Sequence, residues 1–115
     1  MFSVAAPVAL HALDRADALL DKATPNMLCA RLVPGMFDCG EQLSTVAGFA
    51  LRTTHRAGFA YLDQSAADYL HQFAIPNLWF HLSMAYAILR QAGADVGKAD
   101  FDGLHSYPTG FAFDA

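Results

Sequence analysis

The stretch Ser65-Ala66-Ala67-Asp68-Tyr69-Leu70-His71-Gln72-Phe73-Ala74-Ile75-Pro76-Asn77-Leu78-Trp79-Phe80-His81, continuing through Ser83, Met84, Ala85, Tyr86, Ile88 and Leu89 to Gln91, decides how the chain reads. Its apolar positions Tyr69, Leu70, Phe73, Phe80, Met84 and Ile88 recur at helical spacing, which predicts one long helix from about Ala66 to Gln91. Ser65 stands three residues before Asp68, the reciprocal hydroxyl and carboxylate arrangement that satisfies the free amides of a helix start. Gly93 supplies the left-handed residue that stops a helix. Pro76 falls inside, where its ring clashes with the carbonyl of Gln72 and its missing amide leaves that carbonyl without a donor. A kink is expected there, not an end.

Working upstream, Val8 or Ala9, Leu13, Ala16 and Leu20 step by three and four along one face and predict a helix from about Pro7 to Lys22. Pro7 suits a first turn, where its missing N–H is no loss. Thr24-Pro25-Asn26 closes that helix. Leu28 to Val33 is a short apolar run with no partner strand in the chain, so it reads as a helical turn, punctuated by Pro34-Gly35. From about Met36 a second long helix is expected, running to Thr54 or beyond and ending near Gly58. Met36, Leu43, Ala47, Ala50 and Leu51 lie on its apolar side, and Glu41, Gln42 and Ser44 on another. Residues 59–64 are a continuation or a connecting turn. After Gly93 the run Asp95, Gly97, Lys98, Asp100, Asp102 and Gly103 reads as loop. His105 to Ala115, with Tyr107, Phe111 and Phe113, reads as an irregular tail that packs on the bundle or on a neighbour. The organisation is an all-α bundle domain over 1–103 with a tail over 104–115.

At 115 residues the chain holds one core and no second domain. Its 55% hydrophobic content implies an unusually full core or apolar surface that meets a partner. A net charge of -4 with only 7 Lys and Arg argues against tracking phosphates, because nucleic-acid affinity rests on displaced counterions. Arg52, His55 and Arg56 read as a solvated helix end whose cations suit the dipole. No stretch approaches the roughly 18 uninterrupted apolar residues of a membrane span, and Met1 to Ala12 lacks the leading basic residues of a signal peptide. A cytoplasmic protein is expected. Cys29 and Cys39 have the spacing of neither a zinc nor a redox motif and suit small thiols in a reducing compartment.

Chemistry, if present, belongs on the long helix. Asn77 and His81 stand four apart, one turn after the kink, so they share a face that continues through Met84, Ala85 and Ile88. A ligand pocket in the bundle built from Asn77, His81, Trp79 and Tyr86 is one reading. The plainer one is a core histidine held by a single hydrogen bond, with Asn77 supporting the kink. A metal site would need three converging ligands. His81 is one candidate, with His55, His71 or Glu41 as possible companions, but His11, His55, His71 and His105 form no paired motif, and His71 lies roughly 80° around the helix from His81. Glu41 is the one carboxylate of the second helix placed to face His81. The other acids sit at helix ends, where capping explains them.

Two stretches resemble a known family. Ala30-Arg31-Leu32-Val33-Pro34 with Met36-Phe37 is one. The other comprises Phe73-Ala74-Ile75-Pro76-Asn77 through Phe80-His81, flanked by Asp68-Tyr69-Leu70, Ala85-Tyr86, Ile88-Leu89-Arg90 and Gly97-Lys98-Ala99-Asp100-Phe101. They are similar to the bacterial "domain of unknown function nineteen ninety-three" family, related to the DinB/YfiT-like up-down four-helix bundles. The resemblance implies such a bundle, in a superfamily where many members hold a divalent metal (Zn, Ni or Fe) with three histidines and some are thiol-handling transferases. In those relatives two histidines stand four apart on the last helix. Here Asn77 and His81 occupy that spacing, so only His81 carries over, and Gly48 stands at an often acidic position. Against the family pattern the chain lacks the third helix, between about Arg56 and Ser65. Helices built for a four-helix core then leave an apolar groove, and a homodimer in which a partner's helix or tail fills it is expected. Two functions follow: a dimeric module that binds an unidentified small molecule or serves interaction alone, or a divalent-metal enzyme using His81.

Overall fold

The computed structural model describes residues 2–57 and 64–104, and among them every regular element is helical and none is a strand. The order is α1 (Phe2–Asp21), α2 (Pro25–Leu28), α3 (Cys39–Ala57), α4 (Gln64–Asp68), a π-helical turn (Tyr69–Ala74), α5 (Ile75–Gln91) and α6 (Lys98–Asp102). Gly58 and residues 59–63, where the end of the second helix and a connection were expected, lie outside the described residues, as does His105 to Ala115.

Alanines decide how α1 packs. Its buried face is Ala5, Ala9, Ala12, Ala16 and Leu19, a run of small side chains that lets a neighbouring helix approach closely. The expected face shared only Ala9 and Ala16 with it. Leu13 and Leu20 turn out to be exposed, because a helix with two adjacent apolar stripes buries the one that packs more closely. Pro7 is inside the helix, which begins a turn earlier than expected. Thr24 both follows α1 and opens α2: its side chain accepts from the Met27 amide at 3.3 Å, and Pro25 takes the first helical position.

The start of α3 is fixed by a reciprocal cap. Asp38 Oδ1 accepts from the Glu41 amide at 2.8 Å, and Glu41 Oε1 accepts from the Asp38 amide at 3.0 Å. The helix therefore begins at Cys39, and Met36 stays in the preceding loop, where its carbonyl accepts from Arg31. Leu43, Val46, Phe49, Ala50 and Thr53 are buried along α3 together with Gln42, while Leu51 is 73% exposed. Both Gln42 and Leu51 thus sit opposite to their expected sides.

The long helix passes Pro76 by widening. Through the Tyr69–Ala74 turn the Ile75 amide donates to Leu70 O, five residues back. The extra residue moves the preceding carbonyls away from the proline ring, as π-bulges do. The carbonyl that receives a side-chain donor is that of Phe73, from Asn77 Nδ2 at 2.8 Å. The helix is already formed at Gln64, so the capping position lies before Ser65. Beyond the widened turn, Leu78, Leu82, Ala85, Ile88 and Leu89 are all buried. The expected stop at Gly93 is present: φ is +94°, Ala94 N donates to Leu89 O at 2.9 Å and Gly93 N to Arg90 O at 3.2 Å, the paired bonds of a Schellman motif.

The stretch expected as loop after Gly93 contains α6, opened by Asp100 Oδ2 accepting from the Gly97 amide at 2.8 Å and ended at Gly103, φ +74°. One side of α1 and the residue just after it hold it in place. His11 Nε2 lies 2.7 Å from Asp102 O, Arg15 Nη1 donates to Asp100 O at 3.3 Å, and Lys22 Nζ pairs with Asp100 Oδ1 at 2.9 Å. The Gly97 amide, and then Lys22, hold the Asp100 carboxyl below its ordinary value. Since α6 follows α5 and reaches Lys22, and Gly40 lies against Leu28 just beyond α1, α3 runs antiparallel to both α1 and α5. We expect Leu82→Ala, which empties a fully buried position, to lower unfolding free energy by about 2–5 kcal/mol. Val33→Ala, at a half-exposed position, should stay within about 0.5 kcal/mol. Urea denaturation checks both.

Candidate functional site at the seam of the second and last long helices

Antiparallel packing of α3 on α5 sets pairs of residues opposite each other along one seam. Cys39 faces Ala85, Gln42 faces His81, and Phe49 faces Phe73. The central pair carries the polar chemistry. Gln42 is 2% exposed, and its Nε2 donates a long bond, 3.5 Å, to Phe37 O. That carbonyl is an acceptor only, so the amide oxygen is left for His81, whose Nδ1 lies 2.7 Å from it. An amide oxygen cannot donate, so Nδ1 must carry the hydrogen and Nε2 of the neutral ring is the basic nitrogen. Nε2 has no hydrogen-bond partner among the described residues.

Rings enclose this imidazole. Phe37 and Phe49 stack on it at centroid distances of 6.1 and 5.9 Å, and Phe80 meets it edge-on at 5.1 Å. Phe37 and Phe80 are themselves about half exposed. Beyond Phe49 the line of rings continues through Phe73 to Tyr69, each step 5.6 Å, and the Arg52 guanidinium lies 5.0 Å over the Phe49 ring. The apolar walls disfavour the imidazolium and push the His81 pKa below its ordinary 6.5. Nearby, burial raises the Cys39 thiol to about 11, so at neutral pH it is a protonated packing group and not a nucleophile.

The four residues singled out on the long helix do not share one pocket. His81 alone faces the seam. Asn77 is committed to the Phe73 carbonyl, the supporting role at the kink. Trp79 and Tyr86 turn the other way, onto Phe101 of α6 at 6.1 and 5.9 Å, where Tyr86 lines a small cleft of about 250 Å³ with Ser83, Lys98 and Phe101. Glu41, expected to face His81, is spent on the α3 cap and pairs with Arg31 at 3.4 Å. Its neighbour Gln42 takes that place. The signal for Gln42 was its helical spacing, three residues from Cys39, four from Val46 and seven from Phe49.

These donors do not fit a three-ligand divalent centre. Among the described residues no group of three or more His, Cys, Asp and Glu converges, and His55 and His71 are exposed. Cys29 and Cys39 are both free thiols, the first exposed and the second buried.

A bundle that is all-helical over its described residues, with one oriented imidazole in an aromatic seam, is the class that fold and site define, and no described helix is long and apolar enough to cross a membrane. A family model described as a domain of unknown function (DUF1993) matches residues 53–102, from the last turn of α3 through α6, and supports that family over this stretch. No curated protein matches the chain.

Because the folded ring resists protonation, the unfolded chain takes up the proton first as pH falls. Stability attributable to His81 is complete above about pH 6.5 and is lost below it. We expect the urea midpoint of the wild type to fall more steeply between pH 7.5 and 5 than that of His81→Phe, in which the remaining histidines are unchanged. Histidine-selective ¹⁵N spectra at neutral pH should show Nδ1 protonated in His81, and a mixture of tautomers in Gln42→Leu.

Proposed function

We propose that the chain is a cytoplasmic small-molecule-binding module built on a DinB-like helical bundle, with its binding site at His81. One observation carries the reading: a buried glutamine fixes the imidazole in a single tautomer, and among the described residues the basic nitrogen has no hydrogen-bond partner between half-exposed phenylalanine rings. A single hydrogen bond to Gln42 would suffice for packing. Holding Gln42 as well, through the Phe37 carbonyl, makes the acceptor directional. The ligand this suits is a small apolar or aromatic molecule with one hydrogen-bond donor. The rings take its body and Nε2 accepts from its donor, the few-polar-groups pattern of small-molecule sites. The free thiols Cys29 and Cys39 are in keeping with a reducing compartment.

Phenol and anisole separate the two parts of this site, since they share a ring and only phenol donates. Titrated into labelled protein and followed by NMR, phenol should shift the His81, Phe37 and Phe80 resonances and saturate. Anisole, or phenol added to His81→Phe, should bind about tenfold more weakly, the value of one hydrogen bond near 1.4 kcal/mol. Absence of any shift at the seam with phenol would overturn the reading.

A further inference from the structure

The side of α5 turned away from His81 carries Trp79, Ser83 and Tyr86 at helical spacing. Across from them α6 sets Lys98 and Phe101, three residues apart. The Phe101 ring lies 6.1 Å from that of Trp79 and 5.9 Å from that of Tyr86. Beside it opens the cleft of about 250 Å³ lined by Ser83, Tyr86, Lys98 and Phe101. The α6 wall is fixed from behind, because His11, Arg15 and Lys22 hold it through Asp100 and Asp102. The polar side chains of the cleft share one chemistry. Among the described residues the Ser83 and Tyr86 hydroxyls form no hydrogen bond, and Lys98 has no carboxylate partner. The acids that follow Lys98 on α6 are engaged elsewhere, Asp100 with the Gly97 amide and Lys22, and Asp102 with the Leu104 amide. All three groups of the cleft can donate, and its one charge is positive.

We propose that this cleft binds a small aryl carboxylate, a molecule of one aromatic ring and one carboxyl group. The ring lies against Tyr86 and Phe101, where aromatic contacts add to the burial of apolar surface. One carboxylate oxygen pairs with Lys98 Nζ and the other accepts from the Ser83 hydroxyl. Such charge-assisted bonds are stronger than those to a neutral acceptor of the same shape. The volume is at the small end for a ligand site, which suits a single ring. The cleft takes an anion, where the site at His81 takes a hydrogen-bond donor, and it does not rest on that site.

Trp79 is the only tryptophan in the sequence, so a single indole N–H resonance reads the cleft. Benzoate titrated into the ¹⁵N-labelled chain at pH 7.5 should shift that resonance and the Phe101 amide, and saturate at millimolar concentration. Benzamide, which keeps the shape and loses the charge, should bind about tenfold more weakly. Benzoate should lose the same factor in Lys98→Met, a change at an exposed residue that should leave helicity unchanged. Acetate, which lacks the ring, should not saturate over the same range. No saturable shift at Trp79 with benzoate overturns the proposal, as does a shift confined to His81, Phe37 and Phe80. Benzamide binding as tightly as benzoate, or Lys98→Met as tightly as the wild type, overturns it too, because the charge then plays no part. Acetate matching benzoate overturns it by removing the ring. Binding of benzoate should be unchanged in His81→Phe, so this site and the one at His81 fail separately.

Discussion

Proline at position 76 is the constraint around which the chain is arranged. A helix long enough to pack against both α1 and α3 must pass a residue that cannot donate and whose ring collides with the turn before it. The wide turn over Tyr69–Ala74 solves this locally, and its consequence is not local. One inserted residue rotates everything that follows by about 100° relative to an uninterrupted α-helix. That rotation sets which side of α5 meets α3, and so brings His81 to Gln42. Asn77 closes the open carbonyl of Phe73, so the residue adjacent to the proline keeps the widened turn in order.

The same constraint separates what the sequence could reveal from what it could not. Helical periodicity located the three long helices, and a glycine with positive φ ends the last of them where its pattern stops, because both signals are local. The burial faces were less legible. Of the positions that helical spacing picked on the last helix, Leu70 and Ile88 are fully buried, but Tyr69, Phe73, Phe80 and Met84 are not, while Leu78, Leu82 and Ala85 are, since a continuous 3.6-residue period cannot anticipate an inserted residue. On α1 the larger leucines drew attention from the alanines that pack. On α3 polarity alone placed Gln42 outside, although its spacing from Cys39, Val46 and Phe49 put it on the core face. His81 stood out in the sequence as the one histidine on that helix next to Asn77 at helical spacing. Its partner did not, because a contact between residues 42 and 81 depends on the packing angle of two helices.

Neighbouring residues on α3 then divide their work by the direction of their side chains. Glu41 points outward and secures the helix start with Asp38 and Arg31, while Gln42 points inward and orients the imidazole. The surface ion pairs, such as Lys22 with Asp100, contribute little each in water. The apolar seam and the alanine face of α1 carry most of the stability, so a polar pair at the centre of the seam is retained at some expense to packing. The binding proposed at His81 rests on that contact.

A double-mutant cycle on Gln42→Ala and His81→Ala, with unfolding free energies from urea titration at pH 7.5, tests this account most directly. A buried, oriented hydrogen bond predicts a coupling energy of about 1 kcal/mol or more. Additivity of the two substitutions within about 0.3 kcal/mol would show that Gln42 does not hold His81, and would contradict the site.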